Sequence, residues 1–122
     1  MKIDQADTIF SIYIRTRDKW ACQRCYTKYE PPTKALHCSH YWSRGKECMR
    51  FLSENCISLC YGCHRLWGHG DERDKYKLFM IKKLGQEKYD LLEWHAHNSF
   101  CKKNRKLEKL YWEQELKKLN IK

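Results

Sequence analysis

The spacing of apolar residues predicts helices at both ends of the chain. Near the N-terminus, residues 4–18 are predicted to form a helix with Asp4 as its N-cap. Its apolar positions recur at intervals of three or four residues, at Ile9, Phe10, Tyr13 and Ile14. Three further helices are predicted over residues 71–85, 86–96 and 102–119. Gly85 is expected to end the first of these, because glycine favours the position that follows a helix.

The middle of the chain has a different pattern. Residues 20–34 contain Pro31-Pro32 and are predicted to form a loop. Two short apolar segments, at residues 35–41 and 56–59, are predicted to be strands, and residues 60–68 a short helix. The sequence therefore predicts an α+β fold in which a strand–strand–helix unit lies between helices.

Length and charge limit the classes of partner. The chain has 122 residues, which favours one domain over residues 1–122. It carries 25 Lys and Arg against 15 Asp and Glu, and this net charge of +10 indicates a polyanionic partner, with DNA first. The mean hydropathy of −0.89 and the lack of long apolar segments argue against a membrane protein.

Four of the eight cysteines form two pairs with C-x2-C spacing, separated by 34 residues: Cys22 with Cys25, and Cys60 with Cys63. Two such pairs predict a tetrahedral structural zinc site, with four buried free cysteines as the alternative. A secreted disulfide scaffold is disfavoured, since no signal peptide is evident. The other cysteines have no pair spacing and are interpreted as small buried apolar residues rather than ligands: Cys38, Cys48, Cys56 and Cys101.

A second set of polar residues is interleaved with the cysteines. His40 ends the first predicted strand, Asn55 precedes the second, and His64 directly follows Cys63. The segments ENCISLCYGCH and HCSHYWSRG resemble the corresponding segments of HNH endonucleases, and SHYWSRG is similar to the NinG/Rap recombination nucleases of lambdoid phages. The resemblance covers about residues 20–70, and residues 71–122 would be a helical extension.

This resemblance implies a ββα-metal (His-Me finger) core with one structural Zn²⁺, flanked by an N-terminal helix and two or three C-terminal helices. It implies that His40 is the general base, that Asn55 fixes the loop orienting this histidine, and that His64 binds a catalytic Mg²⁺ or Mn²⁺. The implied reaction is hydrolysis of DNA phosphodiester bonds. The alternatives are a junction-resolving recombination nuclease of NinG/Rap type and a catalytically silent, zinc-stapled DNA-binding module.

One position departs from the family pattern. Many HNH members carry Asp or His directly before the general base as a second metal ligand, and here that residue is Ser39. Serine is the poorer ligand. His37, which shares a strand face with residue 39, and His69, five residues beyond His64, are the two possible replacements.

Basic residues beside these motifs are the expected DNA contacts: Arg44, Lys46, Arg50 and Arg65. The apolar surface of the C-terminal helices could cover the core or form a homodimer. The expected location is the cytoplasm, which for a phage-encoded protein is that of the bacterial host.

Overall fold

The centre of the fold is a two-stranded antiparallel sheet. In the computed structural model, which describes residues 3–120, β1 spans Leu36–His40 and β2 spans Cys56–Cys60. The strands pair with His40 opposite Cys56. Both predicted strands are confirmed within one residue of their ends, and the α+β class is confirmed.

Six helices surround this sheet within residues 3–120. They are α1 (Gln5–Arg17), α2 (Glu47–Arg50), α3 (Tyr61–Gly68), α4 (Arg73–Leu84), α5 (Gln86–Asn98) and α6 (Arg105–Asn120). Five of them were predicted. Helix α2 and a 3-10 turn at Ser53–Asn55 were not predicted, because segments of three or four residues are too short to show helical periodicity. None of the described helices has the length and apolar composition needed to cross a bilayer.

One face of the sheet packs against α1, which α6 covers. A capping box starts α1, in which the Asp7 amide donates to Asp4 Oδ1 at 3.0 Å and the Asp4 amide donates to Asp7 Oδ2 at 2.9 Å. Phe10 of α1 packs edge-on against Trp112 of α6, with ring centroids 4.8 Å apart. Helix α6 therefore covers part of the core, which was one of its two expected roles.

The other face of the sheet packs against the helices that follow it. Ile57 and Leu59 of β2 are fully buried there with Trp67 of α3 and Tyr76 of α4, whose rings stack at 5.2 Å. The hairpin thus lies between two layers of helices. This sandwich gives the ends of the strands, where the polar motifs lie, fixed positions relative to α3.

Two cysteines differ from their predicted role as small buried apolar residues. Cys48 and Cys101 form a disulfide that joins α2 to the segment after α5, across a sequence separation of 53. This pairing could not be predicted from the sequence, because the two residues share no motif and are brought together only by the packing of α2 against α5. Cys38 and Cys56 do lie in the strands as predicted, partly and fully buried respectively.

Candidate functional site

The two cysteine pairs meet at one corner of the fold. One ligand atom from each of Cys22, Cys25, Cys60 and Cys63 lies within 4.8 Å of the others, and Cys25 Sγ is 3.9 Å from Cys60 Sγ. A tetrahedral site with Zn–S bonds of about 2.3 Å separates its sulfurs by about 3.8 Å. The thiols therefore fit a zinc ion, and these four cysteines could hold one as the spacing predicts.

Neighbouring polar groups act on these thiols. The Arg24 guanidinium donates to Cys63 Sγ at 3.4 Å and to Glu72 at 3.0 Å, which places positive charge beside the corner. The Thr27 hydroxyl, 3.2 Å from Cys25 Sγ, lowers the pKa of that thiol to about 6. Burial raises the pKa of Cys63 to about 12. Arg24 was not singled out from the sequence, although its place between the two cysteines of the first pair was a usable signal.

Asn55 anchors the loop between the strands from a fully buried position. Its side-chain amide donates to the carbonyls of Trp42 at 2.8 Å and Met49 at 3.2 Å, and its Oδ1 accepts from the Trp42 amide at 2.9 Å. Its own carbonyl accepts from the Tyr41 amide at 2.8 Å. One side chain therefore ties both ends of the loop to the start of β2.

This loop places a carbonyl beside His40. His40 Nε2 lies 2.9 Å from the Arg50 carbonyl oxygen, and the ring packs against Phe10 with centroids 6.0 Å apart. A carbonyl oxygen only accepts, so Nε2 carries the proton and Nδ1 keeps its lone pair. Burial lowers the pKa of His40, and this keeps the imidazole neutral near pH 7.

His64 projects from α3 toward the same region. A Cβ at residue 68 would lie 2.6 Å from His64 Cδ2, so Gly68 leaves the room that this ring occupies one turn away. Burial is the main cause that lowers the pKa of His64 to about 4, and the charges of the neighbouring His37, His69 and His40 lower it further. The ring is therefore neutral near pH 7 and has a lone pair available for a metal ion.

The three residues considered for the second ligand position have different surroundings. His37 Nδ1 lies 3.0 Å from His64 Nδ1. The His69 ring is exposed, with its centroid 5.0 Å from that of His64. Ser39 is fully buried and its hydroxyl is 3.0 Å from the hydroxyl of Tyr76. Ser39 thus faces the core, and the two histidines flank His64.

His40 and His64 open onto one cleft of about 720 Å³. Three of its lining residues are cationic, and none of the eleven is acidic: Cys38, His40, Tyr41, Trp42, Ser43, Arg44, Lys46, His64, Gly68, His69 and Arg73. Arg73 comes from α4, lies 4.1 Å from the centroid of the Tyr41 ring, and donates to the Tyr41 carbonyl. Arg73 was not predicted, because it lies beyond about residue 70, where the family resemblance ends.

The expected DNA contacts are not equally placed. Arg44 and Lys46 line the cleft, and Arg65 is exposed on α3. Arg50 is only 7% exposed, and its guanidinium donates to the Asp7 carboxylate, with Nε 2.8 Å from Oδ1. The structure therefore puts Arg50 in the interior, where it fastens α2 to α1.

A second group of possible ligands lies on the sheet. Cys38, His40 and Cys56 each offer a ligand atom within 4.8 Å of the others. Cys56 is fully buried, and burial raises the pKa of its thiol well above the ordinary value. This environment favours a neutral Cys56 thiol and agrees with the interpretation of Cys56 as a buried apolar residue.

Comparison with protein families matches residues 2–121 to the family described as Bacteriophage Lambda NinG protein. No curated protein and no solved structure matches the chain. The family match includes the cysteine corner, the histidine cleft and the C-terminal helices.

Proposed function

The chain belongs to the bacteriophage lambda NinG family, and on this premise we propose that it is a metal-dependent endonuclease that cleaves branched DNA during phage recombination. The coarser part of this proposal is a DNA phosphodiesterase with an HNH-type, ββα-metal centre in β1, β2 and α3. The finer part, the choice of branched DNA, is supported by the family match.

The observation that carries the proposal is the setting of His40. A neutral imidazole is fixed by a backbone carbonyl at the edge of a cleft whose lining, among residues 3–120, has three cations and no carboxylate. Such a cleft favours a polyanion, and a neutral imidazole can accept a proton from water.

In this proposal, His40 Nδ1 takes a proton from the attacking water, the water oxygen adds to the scissile phosphorus, and the bond from phosphorus to the 3′ oxygen breaks. Asn55 acts as a positioning residue by holding the loop that carries the Arg50 carbonyl. Arg44, Lys46 and Arg73 hold the phosphate backbone. His64 would bind a divalent ion, whose chemistry is Lewis-acid stabilisation of the charge on the phosphate and the leaving 3′ oxygen. The resemblance implies products with a 5′-phosphate.

The four-cysteine corner has a separate role in this proposal. Four thiolates leave no open position on zinc, so the ion would be structural. It would tie the loop after α1 to the start of α3, next to His64. We expect the protein to act in the cytoplasm of the bacterial host. The homodimer remains a prediction.

The test is cleavage of a synthetic four-way junction and of a linear duplex with the same arm sequences. Each is incubated with Mg²⁺, Mn²⁺ or EDTA, with His40→Ala alongside wild type. We expect metal-dependent cutting of the junction at low enzyme concentration, weaker cutting of the duplex, and neither with His40→Ala. Equal cutting of both substrates would remove the preference for branched DNA and leave the endonuclease.

Ser39 favours a second candidate function, a catalytically silent DNA-binding module. Serine replaces the Asp or His ligand that many HNH enzymes have at this position, and its burial against Tyr76 keeps its hydroxyl from an ion. Salt-sensitive binding to the junction without cutting, under every metal tested, would support this candidate and contradict the endonuclease.

A further inference from the structure

We propose that His37 and His64 together bind the divalent ion. The second ligand would then be His37, which lies on β1 two residues before Ser39, the position that carries this ligand in many HNH enzymes. The inference deepens the proposed function, on which its catalytic meaning rests, and it is argued from the contact between the two rings.

The contact joins the two nitrogens that would bind the ion. His37 Nδ1 and His64 Nδ1 are 3.0 Å apart, and the rings meet edge to face with their planes at 84°. Two nitrogens at this separation can both reach one ion at an ordinary metal–nitrogen distance of about 2.1 Å. Without an ion, the same contact is a hydrogen bond that requires one ring to be protonated at Nδ1 and the other not. A shared ion lets both rings use their lone pairs.

The strand explains why His37 can serve where Ser39 does not. Residues 37 and 39 point to the same face of β1, which is the face that α3 packs against. Ser39 lies deeper, is fully buried and uses its hydroxyl on Tyr76. His37 is only partly buried and meets α3 at His64.

His69 is the weaker alternative. It lies just after α3, its ring is exposed, and the structure gives it a ring contact with His64 but no contact between ring nitrogens. Binding an ion there would require the side chain to lose rotamer freedom, whereas the His37–His64 pair is already assembled.

The donor set also indicates which ions would bind. Two imidazole nitrogens, beside a cleft without a lining carboxylate, favour Co²⁺, Ni²⁺ or Zn²⁺ over Mg²⁺, which prefers oxygen ligands. Mn²⁺ lies between these groups. We therefore expect tighter binding of Co²⁺ than of Mg²⁺ at this pair, which differs from the Mg²⁺ that the family resemblance implies.

The experiment is calorimetric titration of Co²⁺ into the 122-residue protein that already carries one zinc per chain. Wild type is compared with His37→Ala, His64→Ala and, as the matched control, His69→Ala. We expect one Co²⁺ site in wild type, an affinity at least tenfold lower in the first two variants, and an affinity within twofold of wild type in His69→Ala. Binding must occur without the intense near-ultraviolet absorption of cobalt thiolates, which would indicate exchange into the cysteine corner.

Unchanged Co²⁺ affinity in His37→Ala, or an equal loss in His69→Ala, would overturn the inference. If circular dichroism shows that His37→Ala is unfolded, His37→Gln decides, since it keeps a hydrogen-bonding side chain but is a poor ligand. Retained binding in His37→Gln contradicts the inference, and lost binding supports it.

Binding and cleavage separate the inference from the proposed function. Co²⁺ binding that depends on His37, in a protein that cuts no DNA, would support a shared ion between His37 and His64 and contradict the proposed endonuclease activity. Cleavage that depends on His40, with binding and cleavage both unaffected by His37→Ala, would support the endonuclease and overturn the inference.

Discussion

The four-cysteine corner and the histidine cleft both adjoin the two-stranded sheet and meet at the start of α3, where Cys63 and His64 are neighbours. In the corner, four thiols lie within 4.8 Å of one another and use only each other and nearby donors such as Thr27. In the cleft, His40 is hydrogen-bonded to a backbone carbonyl and His64 contacts His37, while Ser39 faces the core.

The difference follows from what each site has to do. A closed site is satisfied by its own ligands, so packing alone can assemble it. An open site has to keep lone pairs free for an ion and a substrate, so its side chains must be held by groups outside the ligand set. In this chain, the Arg50 carbonyl and the loop held by Asn55 position His40. Gly68, which has no side chain, leaves the space that the His64 ring occupies.

Loss of the corner should have the largest effect. We expect Cys60→Ser, or removal of zinc by a chelator, to abolish most of the stability. The binding free energy of a structural zinc, about 10 kcal/mol or more, is available only to the folded chain, whose net stability is itself about 5–15 kcal/mol. Thermal melting followed by circular dichroism, with zinc counted by native mass spectrometry, measures this. Cys38→Ser is the matched control, and an unchanged melt after zinc loss would contradict a stapling role.

In the cleft, by contrast, loss of His40 should remove activity and leave the fold. We expect His40→Ala to lower the cleavage rate by about 10²–10⁴-fold, the usual contribution of a general base. Its melting temperature should fall only slightly, because the substitution removes one hydrogen bond to the Arg50 carbonyl and the contact with Phe10. His97→Ala is the control, since His97 is an exposed histidine outside the cleft lining. A cleavage rate unaffected by His40→Ala would assign the base to another residue.

The disulfide is a covalent link that lies outside both the corner and the cleft. Cys48–Cys101 closes a sequence separation of 53, for which the loop-entropy model gives about 4 kcal/mol. We expect Cys48→Ser to lower the free energy of unfolding by up to about this amount under oxidising conditions. In dithiothreitol, variant and wild type should unfold alike. A difference that persists in dithiothreitol would mean that packing around Cys48, rather than the bond, stabilises the fold.

Asn55, in the loop between the strands, is expected to affect both the stability of the fold and the position of His40. Asn55→Ala would leave the Trp42 and Met49 carbonyls and the Trp42 amide without their partner. We expect a loss of about 3 kcal/mol, together with slower cleavage as the Arg50 carbonyl moves away from His40. Urea unfolding and cleavage of the junction measure the two effects. Lost stability with an unchanged rate would show that the loop does not position His40.

The parts of the molecule that could be predicted are those that depend on the spacing of residues close together in the sequence. The two C-x2-C pairs, the α1 stripe with Asp4 as its cap, and the two strands all appear as predicted. Each depends on residues a few positions apart, so one chain is enough to show the signal.

The parts that could not be predicted depend on contacts between distant residues. Arg50 was predicted to contact DNA because of its charge beside the motif, yet Asp7, 43 residues away, holds it in the interior. Arg73 reaches the cleft from α4, and Cys101 reaches Cys48 across α5. None of these pairings has a periodicity or a motif, because the packing of helices on the hairpin produces them.

The smallest expected effect tests whether Ser39 belongs to the core or to the cleft. Tyr76→Phe keeps the ring packed against Trp67 and removes the hydroxyl that lies 3.0 Å from Ser39 Oγ. If Ser39 is a core residue, the variant should lose about 1 kcal/mol, the usual net value of one buried hydrogen bond. Its Co²⁺ affinity and cleavage rate should be unchanged, because the ligands lie elsewhere. If Ser39 is instead a ligand that Tyr76 restrains, freeing its hydroxyl would change the metal affinity. The cleft would then share a residue with the core.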